Sequence, residues 1–166
     1  AAGDSKLFPW GGHHDPYAVL YLRDQQNKQQ SPLRRTHIDP KTLSPQWRED
    51  FWFAVRKRPD ILTLHVDIYG HTPGAKEDPF IGQADLPLDH GFLLESAHSR
   101  QVKELTLMSD STRSQTAASG SVRVEISWEP SLIANSAASA RAVAWAMMRS
   151  PHALRVLRVA LLGGSG

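Results

Sequence analysis

No cysteine occurs among the 166 residues, so disulfide staples, thiolate metal sites and cysteine nucleophiles are excluded, and a reducing compartment is favoured. Long hydrophobic runs are lacking too: no stretch of about 18 consecutive apolar residues is present, so no segment reads as a membrane-crossing helix. The opening Ala1-Ala2-Gly3-Asp4-Ser5-Lys6 lacks the basic-then-apolar layout of a signal peptide. A Gly-x-Ser-x-Gly elbow, a phosphate-cradling glycine loop with lysine and a His-Glu-x-x-His helix are all missing, which leaves no sequence grounds for an enzyme. No acidic residue occurs in residues 131–166, which carry Arg141, Arg149, Arg155 and Arg158, whereas residues 1–130 hold 15 Lys+Arg against 17 Asp+Glu. The tail is therefore a different kind of segment from the body, suited to an acidic membrane or an acidic protein surface.

What is present is β patterning. In Ile61 to Tyr69, Leu62, Leu64, Val66 and Ile68 share one face and Thr63, His65 and Asp67 the other. Val122, Val124, Ile126 and Trp128 alternate in the same way with Arg123, Glu125 and Ser127. Such period-two alternation, punctuated by Gly, Pro, Asp and Ser clusters, predicts an all-β domain. Further strands are expected at Tyr17 to Arg23, Leu33 to Ile38, Glu49 to Arg56, Phe80 to Leu86 and Val102 to Met108, which makes seven at sandwich-like spacing. A short helix is expected within residues 89–101. From Ser131 helix formers dominate, and two helices are expected, Ser136 to Arg149 and His152 to Leu162, divided at Ser150-Pro151. The domain reading is thus a β-sandwich over 1–130, a basic helical tail over 131–162 and a linker-like end at 163–166.

One stretch carries the most information. Pro45-Gln46-Trp47-Arg48-Glu49-Asp50-Phe51-Trp52-Phe53-Ala54-Val55 joins a proline turn to a strand whose alternate Phe51, Phe53 and Val55 are apolar. This run resembles the signature stretch of the C2 domain. Asp15-Pro16-Tyr17-Ala18-Val19, Thr42-Leu43-Ser44-Pro45 and Asp78-Pro79-Phe80-Ile81-Gly82 resemble three more segments of that family, in its order. The closing Gly120 to Trp128 looks like synaptotagmin-like and extended-synaptotagmin-like members. The resemblance covers roughly residues 5–130 and implies a C2-type antiparallel β-sandwich. It also implies an eighth strand before Leu7-Phe8-Pro9, which residues 1–6 cannot supply. A truncated or incompletely traced chain, or a strand donated by another chain, is the expectation there.

In calcium-binding relatives about five loop carboxylates hold the ion, which needs six to eight oxygens. Asp15 and Asp78 are the residual candidates here, with Glu77 beside the latter. Pro9, Gly70 and Thr72 stand where the family pattern has acids, so calcium-independent binding is expected and no cofactor or metal is assigned. Asp15 also reads simply as a backbone-capping turn residue. His13, His14 and His71 suggest zinc only weakly, because adjacent loop histidines are usually solvated.

The candidate lipid-binding residues are Trp10, Arg34, Arg35, His37 and Lys41. Trp10 is flanked by Gly11 and suits a membrane interface, although it can equally cap the sandwich or pack on a protein. Arg35 and His37 fall on one face and Arg34 on the other. Trp145, Arg149, Leu154, Arg155, Leu157, Arg158 and Leu161 form the candidate partner-binding set on the expected tail helices. The functional expectation is a cytoplasmic, peripheral membrane module of a larger trafficking, tethering or signalling protein that binds anionic phospholipid. The alternative is a C2-like scaffold subunit that binds protein partners in a larger assembly. No nucleic-acid partner is expected.

Overall fold

The computed structural model describes residues 15–55, 61–88, 100–129 and 155–166. Eight strands occur in this order: β1 Asp15–Arg23, β2 Arg34–Arg35, β3 Glu49–Val55, β4 Thr63–His71, β5 Phe80–Pro87, β6 Gln101–Thr106, β7 Ser121–Glu129 and β8 Arg155–Ser165. They form two four-stranded sheets, β2-β1-β4-β5 and β3-β8-β7-β6, in which every pair is antiparallel. All seven strands read from the alternation are present, with shifted ends.

The core follows directly from the pleat. Side chains two residues apart on a strand share a face, so Leu64, Val66 and Ile68 of β4 and Val122, Val124 and Ile126 of β7 all lie fully buried between the sheets. Ala18, Leu20 and Leu22 of β1 and Phe51, Phe53 and Val55 of β3 join the same cluster. Each large apolar side chain so buried contributes roughly 1.5–3 kcal/mol. Trp47 is part of this core, and its indole N–H donates to the Pro16 carbonyl at 3.2 Å.

β2 is shorter than the expected Leu33 to Ile38 for a local reason. Ser31 Oγ and Thr36 Oγ1 accept hydrogen bonds from the Leu22 and Ala18 amides of β1 at 2.8 and 3.0 Å. Side-chain hydroxyls thus take over ladder positions, so the regular ladder spans only Arg34 and Arg35, flanked by single backbone bonds from the Gln30 and Thr36 amides to the Leu22 and Ala18 carbonyls at 2.8 and 2.9 Å. Past β6, Met108 exchanges two backbone hydrogen bonds with Gln83 of β5, so the chain leaves the second sheet and seals against the first.

The C-terminal segment corrects the sequence expectation. Residues 155–165 are not helical: they form β8, which lies between β3 and β7. Leu157 and Leu161 fit a helical stripe, but Leu157, Val159 and Leu161 also alternate, and periodicity alone does not separate the two over so short a run. The strand wins because it buries all three completely and gives β3 and β7 backbone partners along their length. Gly163, Gly164 and Ser165, read as linker-like, belong to this strand. With β8, the described residues hold eight strands. The expected helices at Ser136 to Arg149 and in residues 89–101 fall outside the described residues, apart from Arg100 and Gln101, and no α-helix occurs among the described ones.

Glycine is required where β8 ends. A Cβ on Gly163 would stand 2.3 Å from the Pro45 carbonyl oxygen, and the next amide, Gly164 N–H, donates to that same oxygen at 3.0 Å. The proline turn that opens the signature run is thereby fastened to the last strand.

Candidate lipid-facing surface

The outer face of the first sheet is built by the residues that alternate with the core. β1 contributes Tyr17, Val19 and Tyr21, which sit in register with Tyr69, Asp67 and His65 of β4. His65 and Asp67 in turn face Asp85 and Gln83 of β5. The tyrosines make an aromatic row: Tyr17 stacks on Tyr69 at 5.5 Å between centroids, and Tyr69 meets Phe80 edge-on at 5.9 Å.

Beside this row runs a chain of charges. Arg23 Nη2 binds Asp85 Oδ2 at 2.6 Å, and His65 Nδ1 lies 2.7 Å from Asp85 Oδ1. The other ring nitrogen of His65 lies 2.8 Å from Asp67 Oδ1. Arg113, from the loop between β6 and β7, grips Asp67 through both guanidinium ends at 2.8 and 3.1 Å. It also meets the Tyr69 hydroxyl and lies 3.9 Å over the Phe80 ring. Burial works against a charged His65, but its hydrogen bonds to Asp67 and Asp85 outweigh that and raise its pKa above the ordinary imidazole value. Burial likewise opposes ionised Asp67, yet His65 and Arg113 hold it below the usual carboxylate range. Arg23 and Arg113 are thus both committed to carboxylates of this face.

The five candidate lipid-binding residues do not form one cluster. Arg35, exposed on edge strand β2, holds its guanidinium 3.8 Å over the Tyr17 ring. Tyr17 donates its hydroxyl to Asp78 at 2.9 Å, and burial together with that carboxylate pushes its pKa up to about 12. Arg34 pairs in register with Leu20, while Arg35 pairs with Val19. His37 is drawn to Glu49, whose carboxylate accepts from its backbone amide at 2.6 Å and meets its ring. Lys41 has a left-handed backbone, φ 56°, and its amide donates to Asp15 Oδ1 at 2.9 Å. Trp10, His13 and His14 lie outside the described residues. Leu33, immediately before Arg34, is 55% exposed, and the sequence reading missed it.

Asp15 and Asp78, the residual calcium candidates, each accept from a backbone amide. Asp15 caps the Lys41 amide, 26 residues away. Asp78 accepts from the Thr72 amide at 2.9 Å and from Tyr17, with His71 Nδ1 at 3.4 Å, and it sits below the usual carboxylate range chiefly because of the Thr72 amide. Gly70 and Thr72 offer no carboxylate. Among the described residues no three His, Asp or Glu side chains are grouped closely enough to hold a metal ion.

The partner-binding set also divides. Leu157 and Leu161 are core residues, fully buried between the sheets, and so cannot face a partner. Arg158 lies on the outer face of the second sheet, bound to Glu125 and Asp50. Arg155 pairs with Val55 through its backbone. Trp145, Arg149 and Leu154 lie outside the described residues.

The sequence reading missed the His65, Asp67, Asp85 and Arg113 network. Its one legible sign was His65 and Asp67 two apart on the polar face of a strand. Asp85 and Arg113 reach it only through sheet pairing and loop closure.

The sequence model of the C2 domain matches residues 4–107 of this chain. Among curated proteins, Tricalbin-2 of Saccharomyces cerevisiae is 36% identical over 78 residues, which is 46% of this chain and 6% of that relative. The chain therefore spans only a small part of the relative's length. No helix among the described residues is long and apolar enough to cross a membrane.

Proposed function

The chain belongs to the C2 domain family, and on that premise we propose that it is a binding module that docks on anionic phospholipid through the β2 edge of its first sheet, without calcium. The observation that carries this reading is the pairing of an exposed apolar residue with an exposed cation. Leu33 stands 55% exposed directly ahead of Arg34 and Arg35, and Arg35 is held in place by Tyr17. An apolar side chain beside arginines is the combination that an anionic bilayer surface rewards, with headgroup attraction outside and acyl contact beneath. The other cations of this face, Arg23 and Arg113, are neutralised by Asp85 and Asp67. Attraction is thereby concentrated at the β2 edge.

Calcium independence is supported by the donor set: Asp15 and Asp78 each hold backbone amides, and Gly70 and Thr72 contribute no carboxylate. A cytoplasmic site of action at a membrane surface follows from this reading. The scaffold alternative loses Leu157 and Leu161 as partner-facing residues, because both fill the core.

Co-sedimentation with phosphatidylserine-containing vesicles tests the surface. Replacing Arg35→Gln should weaken binding about fivefold, since one basic residue at an anionic surface is worth on the order of 1 kcal/mol. Leu33→Ala should weaken it further. Unchanged sedimentation of the double variant would refute the β2 edge as the docking surface.

A further inference from the structure

The outer face of the second sheet carries a cleft of about 400 Å³ lined by Arg48, Arg100, Arg123 and Arg158 together with Asp50, Glu125 and Ala160. Its floor is made by register. Ala160 of β8 stands between Asp50 of β3 and Glu125 of β7, so a small side chain occupies the middle of three neighbouring strands and leaves the hollow. The rim is made by charge.

Arg158, with a side chain only 12% exposed, donates to Glu125 Oε1 at 2.9 Å and to Asp50 Oδ1 at 2.6 Å. Arg100 approaches the same Glu125 oxygen at 3.8 Å. Both carboxylates of the cleft are therefore turned towards arginine. Glu104, opposite Arg123 in register, accepts a hydrogen bond from the Ser121 hydroxyl at 2.7 Å. Among the described residues, no carboxylate makes an ion pair with Arg48 or Arg123. Four guanidinium groups thus share the cleft with two carboxylates, leaving an excess of two positive charges.

We propose that this cleft binds a phosphate ester, with Arg48 and Arg123 as its direct ligands and Arg158 as the residue that holds Asp50 and Glu125 away from the anion. A phosphomonoester carries a charge close to −2 at neutral pH, which matches the excess. Guanidinium forks bind phosphate oxygens in bidentate fashion, so two arginines, one just ahead of β3 and one on β7, select that geometry over a spherical anion. The volume lies within the usual range for small-ligand sites. The cleft is on the opposite sheet from Leu33 and Arg35, and it stands or falls independently of membrane docking there.

The test is calorimetric titration of the full 166-residue chain with inorganic pyrophosphate and with inositol trisphosphate at low salt, where surface electrostatics are least screened. Saturable binding is expected, weakened at least about tenfold in Arg48→Gln/Arg123→Gln, a loss equivalent to about 1.4 kcal/mol. Ala160→Leu, which fills the floor and keeps every charge, should weaken it as well, whereas Lys76→Gln in the loop between β4 and β5 should not. Thermal melts identify any variant that fails to fold. A second arm uses vesicles containing phosphatidylinositol phosphate. Binding to these but not to the soluble compounds, lost in the double arginine variant, would assign the phosphate to a lipid headgroup, and loss of soluble binding in that variant would assign a free ester. No saturable binding in either arm, or equal affinity in wild type and the double arginine variant, would overturn the proposal.

Discussion

Arg158 Nη2 lies 2.6 Å from Asp50 Oδ1, joining the C-terminal strand to a residue 108 positions earlier in the chain. The contact exists because β8 runs beside β3, with Asp50 opposite Ala160 and Phe51 opposite Val159. The signature run from Pro45 to Val55 and the last strand are therefore one structural unit. The first supplies core and turn, and the second closes the sheet around it.

Leu161→Ala should destabilise the isolated chain by about 2–5 kcal/mol, the cost of deleting a fully buried leucine and leaving a cavity. Leu33→Ala, at an exposed position, should change stability by less than about 0.5 kcal/mol. Urea denaturation measures both. Equal and negligible effects would mean that residues 155–165 are not part of the core.

Gly163→Ala should be destabilising out of proportion to the single methyl added. The new Cβ would lie 2.3 Å from the Pro45 carbonyl oxygen, and backbone cannot yield as a flexible side chain does. A melting temperature equal to that of wild type would show that β8 does not end against the proline turn.

Stability should depend on pH through His65. Its folded pKa is raised above the ordinary 6.5, so its contribution is fully present below that value and is lost as pH climbs through the folded pKa. Asp67 and Asp85 have folded pKa values below the ordinary 3.8. Their contribution is present above that value and is lost as pH falls through the lower folded ones. Denaturation midpoints should therefore be highest between the two ordinary values. His65→Asn should cost about 3 kcal/mol, because it breaks a buried ion pair, and should flatten the alkaline limb. A wild-type profile that rises steadily above neutral pH would contradict the arrangement.

How much of this was legible in the sequence depended on the range of the interaction. Leu64, Val66 and Ile68, or Val122, Val124 and Ile126, declare their strands by local alternation, which is why seven strands could be read. Leu157, Val159 and Leu161 alternate equally well, but Leu154 and the surrounding Ala, Met and Arg offered a helical stripe, and only the open positions beside β3 and β7 decide in favour of a strand. Site residues followed the same rule. Arg34 and Arg35 were readable from spelling, whereas the capture of His37 by Glu49 and of Asp67 by Arg113 depends on partners brought in by tertiary pairing. The cleft at Ala160 was illegible, because its three strands meet only when β8 is placed.

Calcium-independent docking on anionic lipid is tested most directly by wild-type co-sedimentation with vesicles of rising phosphatidylserine content, run in parallel with calcium and with a chelator. Bound fraction should climb with anionic lipid, fall with added salt, and be the same in both series. Binding that appears only with calcium, or that ignores the anionic fraction, would contradict it.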